Sequence, residues 1–284
     1  MAPALTTTSS VACAWEDFLR QHGDVVAVFD HRTQGSGNVS WTVDTDDGRY
    51  FVKTAGPAVP PPGAPTPYLD HAGRVALLRT AVELSASCRH PALARLRNVI
   101  ESPQGPALVY DWAPGELVRV PSSERGDPRS PYQRFARLPT STLLGVFDRL
   151  IDLHRELGEQ GWVAGDLYDG CLLYDFGTDR LTVVDLDTYH RGPSTNTMGR
   201  MFGSDTFMAP EEHVLGAVID QRTTVFTLGR LVWHFGTRLT ERRDRFVGPP
   251  ALAEVVEVAC HPDPARRHRD VAALSHAWRH ARRR

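Results

Sequence analysis

Over roughly the first 112 residues, apolar positions come in short runs bounded by turn residues; beyond that they recur at helical spacing. Residues 25–29, the segment ending at Val43, and residues 49–53 read as three strands. Gln34-Gly-Ser-Gly-Asn38 and Asp44-Thr-Asp-Asp-Gly48 supply the turns between them. Residues 93–100 and 106–112 read as two more strands. Helical periods predict helices over 14–22, 74–88, 141–157, 224–234, 250–259 and 270–282. In the 74–88 helix, Val75, Leu78, Val82 and Ala86 mark the expected buried face. In the 141–157 helix, Leu144, Phe147, Leu150, Ile151 and His154 do so, with His154 expected to be packed or capping rather than catalytic. A second hairpin is expected at 172–176 and 181–184, turning through Gly177-Thr-Asp-Arg180.

Punctuation divides the chain. Six prolines between Gly56 and Pro67 predict a stiff surface connection. Asp111-Trp-Ala-Pro-Gly115 breaks the pattern and reads as a hinge, and the charged, proline-containing residues 118–139 read as an exposed insertion. The strands come first and the helices second, with no internal repeat, so the expected class is α+β in two lobes. The expected division is a loose tail over 1–13, a β-rich lobe over 14–112 and a helical lobe over 113–284.

The candidate chemistry lies around the second hairpin. Asp166 precedes it and Asp185 follows it, so the two strands would hold the carboxylates near each other. One carboxylate can orient or deprotonate a hydroxyl while the other holds a divalent cation. Either aspartate taken alone reads as an ordinary turn residue. Lys53 closes an apolar strand, as a snorkelling edge lysine or as a cation directed at phosphates. The glycines at 35 and 37 lie between two strands, which argues against a Rossmann or Walker site and suits a β-hairpin over phosphates.

Composition narrows the class without choosing within it. The 284 residues carry 41% hydrophobic and 23% charged side chains with a net charge of −2, ordinary for a globular protein. That balance gives no electrostatic reason to expect nucleic acid or a membrane as partner, and no apolar run is long enough to span a bilayer. The start of the chain lacks the pattern of a secretory signal. Cys13, Cys88, Cys171 and Cys260 are widely spaced and suit free thiols in a cytoplasmic protein.

Taken in order, the glycine hairpin, Lys53, a helix, a hinge, two aspartates and Ala209-Pro-Glu211 resemble the eukaryotic-type protein kinases found in bacteria, over about residues 14–282. The resemblance implies ATP and Mg²⁺ as cofactors and a protein substrate. Lys53 matches the phosphate-binding lysine, Asp166 the catalytic-loop aspartate, and Asp185 the metal-binding aspartate, here Asp-Leu-Asp187. Gly35, Ser36 and Gly37 would cover the phosphates. Tyr110 would back the adenine pocket, and Asp111 to Ala113 would offer backbone groups to adenine. Ser204 would steady the catalytic aspartate, and Ser194, Thr195, Thr197 and Thr206 lie where autophosphorylation occurs. Glu211 would pair with Arg267 of Asp263-Pro-Ala-Arg-Arg267 as a structural ion pair.

Several positions depart from that pattern. Ala164-Gly165 stands before the catalytic aspartate in place of His-Arg. Tyr168 replaces the lysine two residues after it, and Cys171 the asparagine. Thr224 replaces an aspartate of the following helix, and Glu83 or, less well placed, Asp70 would pair with Lys53. Cys171 is a poor ligand for a hard cation, and Asp187 would supply a second carboxylate instead. Without the lysine's charge, turnover would be slow. The loop also resembles that of aminoglycoside-type small-molecule phosphotransferases, which lack the Ala-Pro-Glu feature. Three expectations stand: a divergent Ser/Thr protein kinase, a small-molecule kinase of the same fold, or a nucleotide-binding module without transfer.

Overall fold

The computed structural model describes residues 4–283. It is mixed α+β, with a five-stranded sheet in the N-terminal part and helices in the C-terminal part, consistent with a two-lobed kinase-like fold. The chain divides into two compact units. One takes the chain up to Arg89 together with Ala94–Ala113, the other His90–Leu93 and the chain from Pro114 onward.

In the first unit, helices α1 (Ala4–Thr7) and α2 (Trp15–His22) lead into β1 (Asp24–Phe29), β2 (Val39–Thr45) and β3 (Gly48–Thr54). Helix α3 (His71–Ser87) and strands β4 (Leu96–Ile100) and β5 (Ala107–Asp111) follow. The sheet is antiparallel in the order β1-β2-β3-β5-β4. Strand alternation gives it two buried faces. Trp41, Val43, Tyr50 and Val52 pack with Leu5, Trp15, Phe18 and Leu19 on one side. Leu108 packs with Leu78 and Ala81 of α3 on the other. Residues 1–3 of the expected loose tail lie outside the described residues. The rest is tied down: Leu5 is fully buried and the Asn98 side chain donates to the carbonyls of Leu5 and Thr8.

Helix α3 departs from its expected face. Arg74, Leu78, Ala81 and Leu84 are its buried residues, and Ala86 is exposed. The cause is Arg74, whose guanidinium donates to the carbonyls of Ala55, Leu69 and Pro57 and so satisfies a buried charge with backbone oxygens.

In the second unit, β6 (Glu116–Leu117), α4 (Pro131–Ala136) and α5 (Thr140–Glu159) come first, then β7 (Trp162–Val163), β8 (Leu172–Asp175) and β9 (Arg180–Val183). β10 (His190–Arg191), β11 (Ser194–Thr195) and β12 (Val218–Ile219) are two-residue strands, and α6 (Gln221–Gly236), α7 (Pro250–Ala259) and α8 (Val271–Arg282) complete the unit. β8 and β9 form the expected hairpin, with β6 along its edge. α6 packs on α7 and α5 on α8. The insertion read as exposed is partly core: Tyr132 and Phe135 are buried, and Phe135 meets Phe235 edge-on at 4.8 Å.

The Glu211–Arg267 pair is present and buried. It is bidentate, at 2.6 and 2.9 Å, with Arg267 stacked 4.6 Å from the centre of Phe226. Thr223 also donates to Glu211, and Arg267 reaches the carbonyls of His261, Arg222 and Pro262. Removing one partner strands the other in the core, which costs about 3–5 kcal/mol. Glu211→Ala and Arg267→Ala should each lower the urea-unfolding free energy by that much. The double replacement Glu211→Leu/Arg267→Met should lose less than either single. Single-variant losses under about 1 kcal/mol would mean that water reaches the pair.

Candidate active site

Asp166 and Asp185 share an unusual backbone. Their φ values are +48° and +62°, the left-handed region that L-residues rarely occupy and aspartate tolerates better than most. The strain is held by bonds from separate parts of the unit. The Ala164 N–H donates to the Thr224 hydroxyl at 2.9 Å, and the Thr188 hydroxyl donates to the Gly165 carbonyl at 2.8 Å. A Cβ at Gly165 would lie 2.4 Å from the Thr188 carbonyl oxygen, so only glycine fits there. The Cys171 thiol donates to the Asp166 carbonyl at 3.3 Å, and the Cys171 carbonyl accepts from the Val184 N–H beside Asp185.

Both carboxylates act on the same two neighbours. Burial, with Asp166 and Asp185 nearby, pushes the Tyr168 hydroxyl and the Cys171 thiol well above their ordinary ionisation ranges. Cys171 is therefore a neutral thiol, 1% exposed, bonded to the loop it sits in. It shapes the turn, and a buried neutral thiol is a poor partner for a hard cation. Asp185 is exposed while Asp187 is buried. The chemistry of an exposed carboxylate fits Mg²⁺ better than that of the thiol.

The remaining expected residues belong mostly to the first unit. Lys53 is 9% exposed and sits opposite Leu108 on the sheet face that α3 covers. Neither proposed acidic partner meets it. Glu83, the sole acid in α3, is exposed and makes no ion pair among the described residues, and Asp70 caps α3 by accepting from the Gly73 N–H. Asp111 is held by Arg97 at 2.7 Å. The Asp111 and Trp112 N–H groups donate to Arg95 and Arg49, so among residues 111–113 only the Ala113 N–H makes no bond among the described residues. Tyr110 lies half-buried against Leu108 and α3.

The glycine turn has two characters. Gly35 and Ser36 are exposed, and nothing lies within 4 Å of a Cβ built on Gly35. Gly37, at φ +81°, is demanded by packing: a Cβ there would lie 2.5 Å from Pro67. The proline-rich connection docks on the turn and encloses a cavity of about 240 Å³ with Asn38 and Trp41. Ser204 is half-buried, and its hydroxyl makes no hydrogen bond among the described residues, so it does not steady Asp166 in this structure.

Three features escaped the sequence reading. Asp169 is fully buried, with no partner for either carboxyl oxygen among the described residues. Burial pushes its carboxyl upward against the opposing pull of Arg119, Arg125 and His234. The second is a set of His90, Asp152 and Glu156 with metal-ligand spacing. His90 Nδ1 accepts from the Ala92 N–H, which leaves the proton on Nε2 facing Asp152, while Arg155 and Arg279 occupy the carboxylates. Its donors are already used. The third is Glu212, 4% exposed, whose carboxyl is pushed up to about 7 by burial although the Ala209 N–H donates to it.

No family model matches the chain. A 98-residue stretch is 26% identical to Serine/threonine-protein kinase 1 of African swine fever virus (isolate Warthog/Namibia/Wart80/1980), covering 34% of this chain and 33% of that protein. The protein of the same name from isolate Tick/Malawi/Lil 20-1/1983 is 22% identical over 139 residues, 49% of this chain and 43% of that one. The chain thus spans between a third and under half of the length of these curated relatives. The similarity supports a kinase-like family and goes no further.

Two buried groups near the loop give opposite pH dependences. His154, donating from Nδ1 to the Leu150 carbonyl and accepting from Tyr189, is pushed by burial from 6.5 to about 4. Its contribution to stability is present above pH 6.5 and lost as pH falls through 4. Glu212, raised from 4.5 to about 7, contributes stability that is present below pH 4.5 and lost as pH rises through 7. Glu212→Gln removes one arm. Between pH 7.5 and 4.5 its unfolding free energy should fall relative to the unmodified protein by about 3 kcal/mol in urea titrations. Parallel curves would show that Glu212 ionises normally.

Proposed function

We propose that the chain is an ATP-dependent phosphotransferase, a divergent Ser/Thr protein kinase that passes the γ-phosphoryl group of ATP to a protein hydroxyl. The observation that carries this reading is the pair of left-handed aspartates, Asp166 and Asp185, braced by Thr188, Thr224 and Cys171. Glycine would meet the backbone demand at lower cost, so the side chains are the reason for aspartate at both places. The buried Glu211–Arg267 pair and the similarity to viral Ser/Thr kinases support the protein-kinase branch over the small-molecule branch.

Mg²⁺·ATP, when bound, supplies the phosphoryl group and the cation that neutralises its charge. Asp166 accepts the hydroxyl proton of the acceptor as its oxygen bonds to the γ-phosphorus and the bond to the β,γ-bridging oxygen breaks, releasing ADP. The exposed carboxylate of Asp185 offers oxygen ligands to the cation, with Asp187 as the second carboxylate. Lys53 holds the α- and β-phosphates, and the Ala113 N–H and the Asp111 carbonyl receive the adenine.

The neutral Cys171 thiol and Tyr168 favour a second reading, a nucleotide-binding module that transfers slowly or not at all. Labelled ATP with Mg²⁺ separates the readings. Label on the protein itself or on a generic protein substrate is expected, falling at least about 100-fold in Asp166→Asn, which keeps the backbone preference. Lys53→Met should do the same while leaving the melting temperature within a few degrees. Label confined to added small metabolites would move the assignment to the small-molecule branch. Thermal stabilisation by ATP without any transfer would move it to the binding module.

A further inference from the structure

Arg119 is an exposed guanidinium beside the Asp166 loop, and its placement is built into the fold. Val118 and Val120 on either side of it are buried, and the Val118 N–H donates to the Leu172 carbonyl at 2.9 Å. The chain is thereby pinned at the start of β8 with residue 119 turned outward. The guanidinium lies over the ring of Tyr168, 4.9 Å from its centre, a contact that holds a cation without using its N–H donors. The ring in turn lies against Gly170, where a Cβ would sit 2.3 Å from Cε2, so Gly170 is what leaves room for it.

Arg119 makes no hydrogen bond or ion pair among the described residues. Acidic groups are close at hand. Tyr168 feels the charges of Asp166, Asp185 and Arg119 together, and Arg119 also faces the buried Asp169. A positioned guanidinium that pairs with none of them keeps its planar fork of donors for an anion from outside. Phosphoryl oxygens match that fork in geometry and charge.

We propose that Arg119 supplies the positive charge at the transferring phosphoryl group, and that Tyr168 is the platform that positions it. The cation thus comes from the segment after β6 rather than from residue 168. The proposal rests on the phosphotransferase reading above and deepens it. It assigns Arg119 a place among the reacting groups and Tyr168 a positioning role.

The test compares the full chain with Arg119→Ala, Arg119→Lys, Tyr168→Phe and Asp166→Asn. Because Arg119 is exposed, its variants should melt within a few degrees of the unmodified protein. Arg119→Ala should lower kcat for transfer at least about tenfold, with KM for ATP changed less than twofold. Arg119→Lys should recover part of the rate. Tyr168→Phe, which keeps the ring face, should retain at least half of it. A second readout needs no turnover: ADP with aluminium fluoride should raise the melting temperature beyond ADP alone in the unmodified protein, and Arg119→Ala should abolish that extra rise while keeping the response to ADP. Transfer within twofold of normal and an intact fluoride response in Arg119→Ala, with Asp166→Asn inactive, would overturn the role of Arg119 and leave the phosphotransferase reading standing. A raised KM for the protein substrate with unchanged kcat would also overturn it, making Arg119 a substrate contact. No transfer and no nucleotide response in the unmodified protein would end both.

Discussion

The left-handed backbone at Asp166 and Asp185 is a local cost that the rest of the second unit must offset, and the connections that do so run deep. Thr224 of α6 holds the Ala164 N–H, and its neighbour Thr223 donates to Glu211. Glu211 is gripped by Arg267, which also donates to the carbonyl of Arg222 in the same first turn of α6. One continuous set of bonds therefore leads from the buried ion pair, through the start of α6, to the residue before Gly165-Asp166. The ion pair fixes where a helix begins, and the helix fixes where the loop sits. A disturbance at Arg267 is expected to be felt at Asp166 as displacement and not only as lost stability.

Charge around the loop is arranged by burial. Tyr168, Cys171 and Tyr189 are all held protonated, by desolvation above all, with the Asp166 carboxylate among the smaller contributions. Neutral groups thus line the carboxylates, and a buried acid, Asp169, sits one turn away under the influence of Arg119 and Arg125. Asp166, Asp185 and Asp169 thus put anionic charge around Tyr168 and Cys171, with Arg119 lying over the Tyr168 ring. Such a site disfavours a triphosphate unless cations accompany it. The proposed transfer would therefore need a cation and a well-placed basic side chain at this loop.

Much of the architecture was legible because it rests on local patterns. The strands around Lys53, the hairpin between the aspartates and the long amphipathic helix all follow from periodicity and turn residues. Glu211 with Arg267 was legible as a pair because both lie in recognisable short motifs. What was missed depends on contacts distant in sequence. The buried face of α3 turns on Arg74, an arginine that periodicity assigns to solvent and that carbonyls from residues 55–69 draw inward. Residues 118–139 look exposed because charges and prolines dilute Tyr132 and Phe135, yet those rings find Phe235 in α6. Gly37 looked like a phosphate glycine and is required by Pro67. Ser204 has the right residue type, but its hydroxyl forms no hydrogen bond among the described residues, since a hydroxyl's partner cannot be read from its neighbours in sequence.

The replaced positions in the loop are better understood together than one at a time. A tyrosine at 168 brings a large ring into a turn, and the ring fits because residue 170 is glycine. The ring face gives an arginine from another segment somewhere to rest. A cysteine at 171 gives up metal ligation, but its thiol ties down the carbonyl of Asp166, one of the two left-handed aspartates. Had the loop served binding alone, a glycine at 166 would relax it and the arginine would be free to pair with a neighbouring acid. The strained carboxylate and the uncommitted guanidinium persist side by side. That combination favours a site arranged for an incoming anion over one that has lapsed into a scaffold.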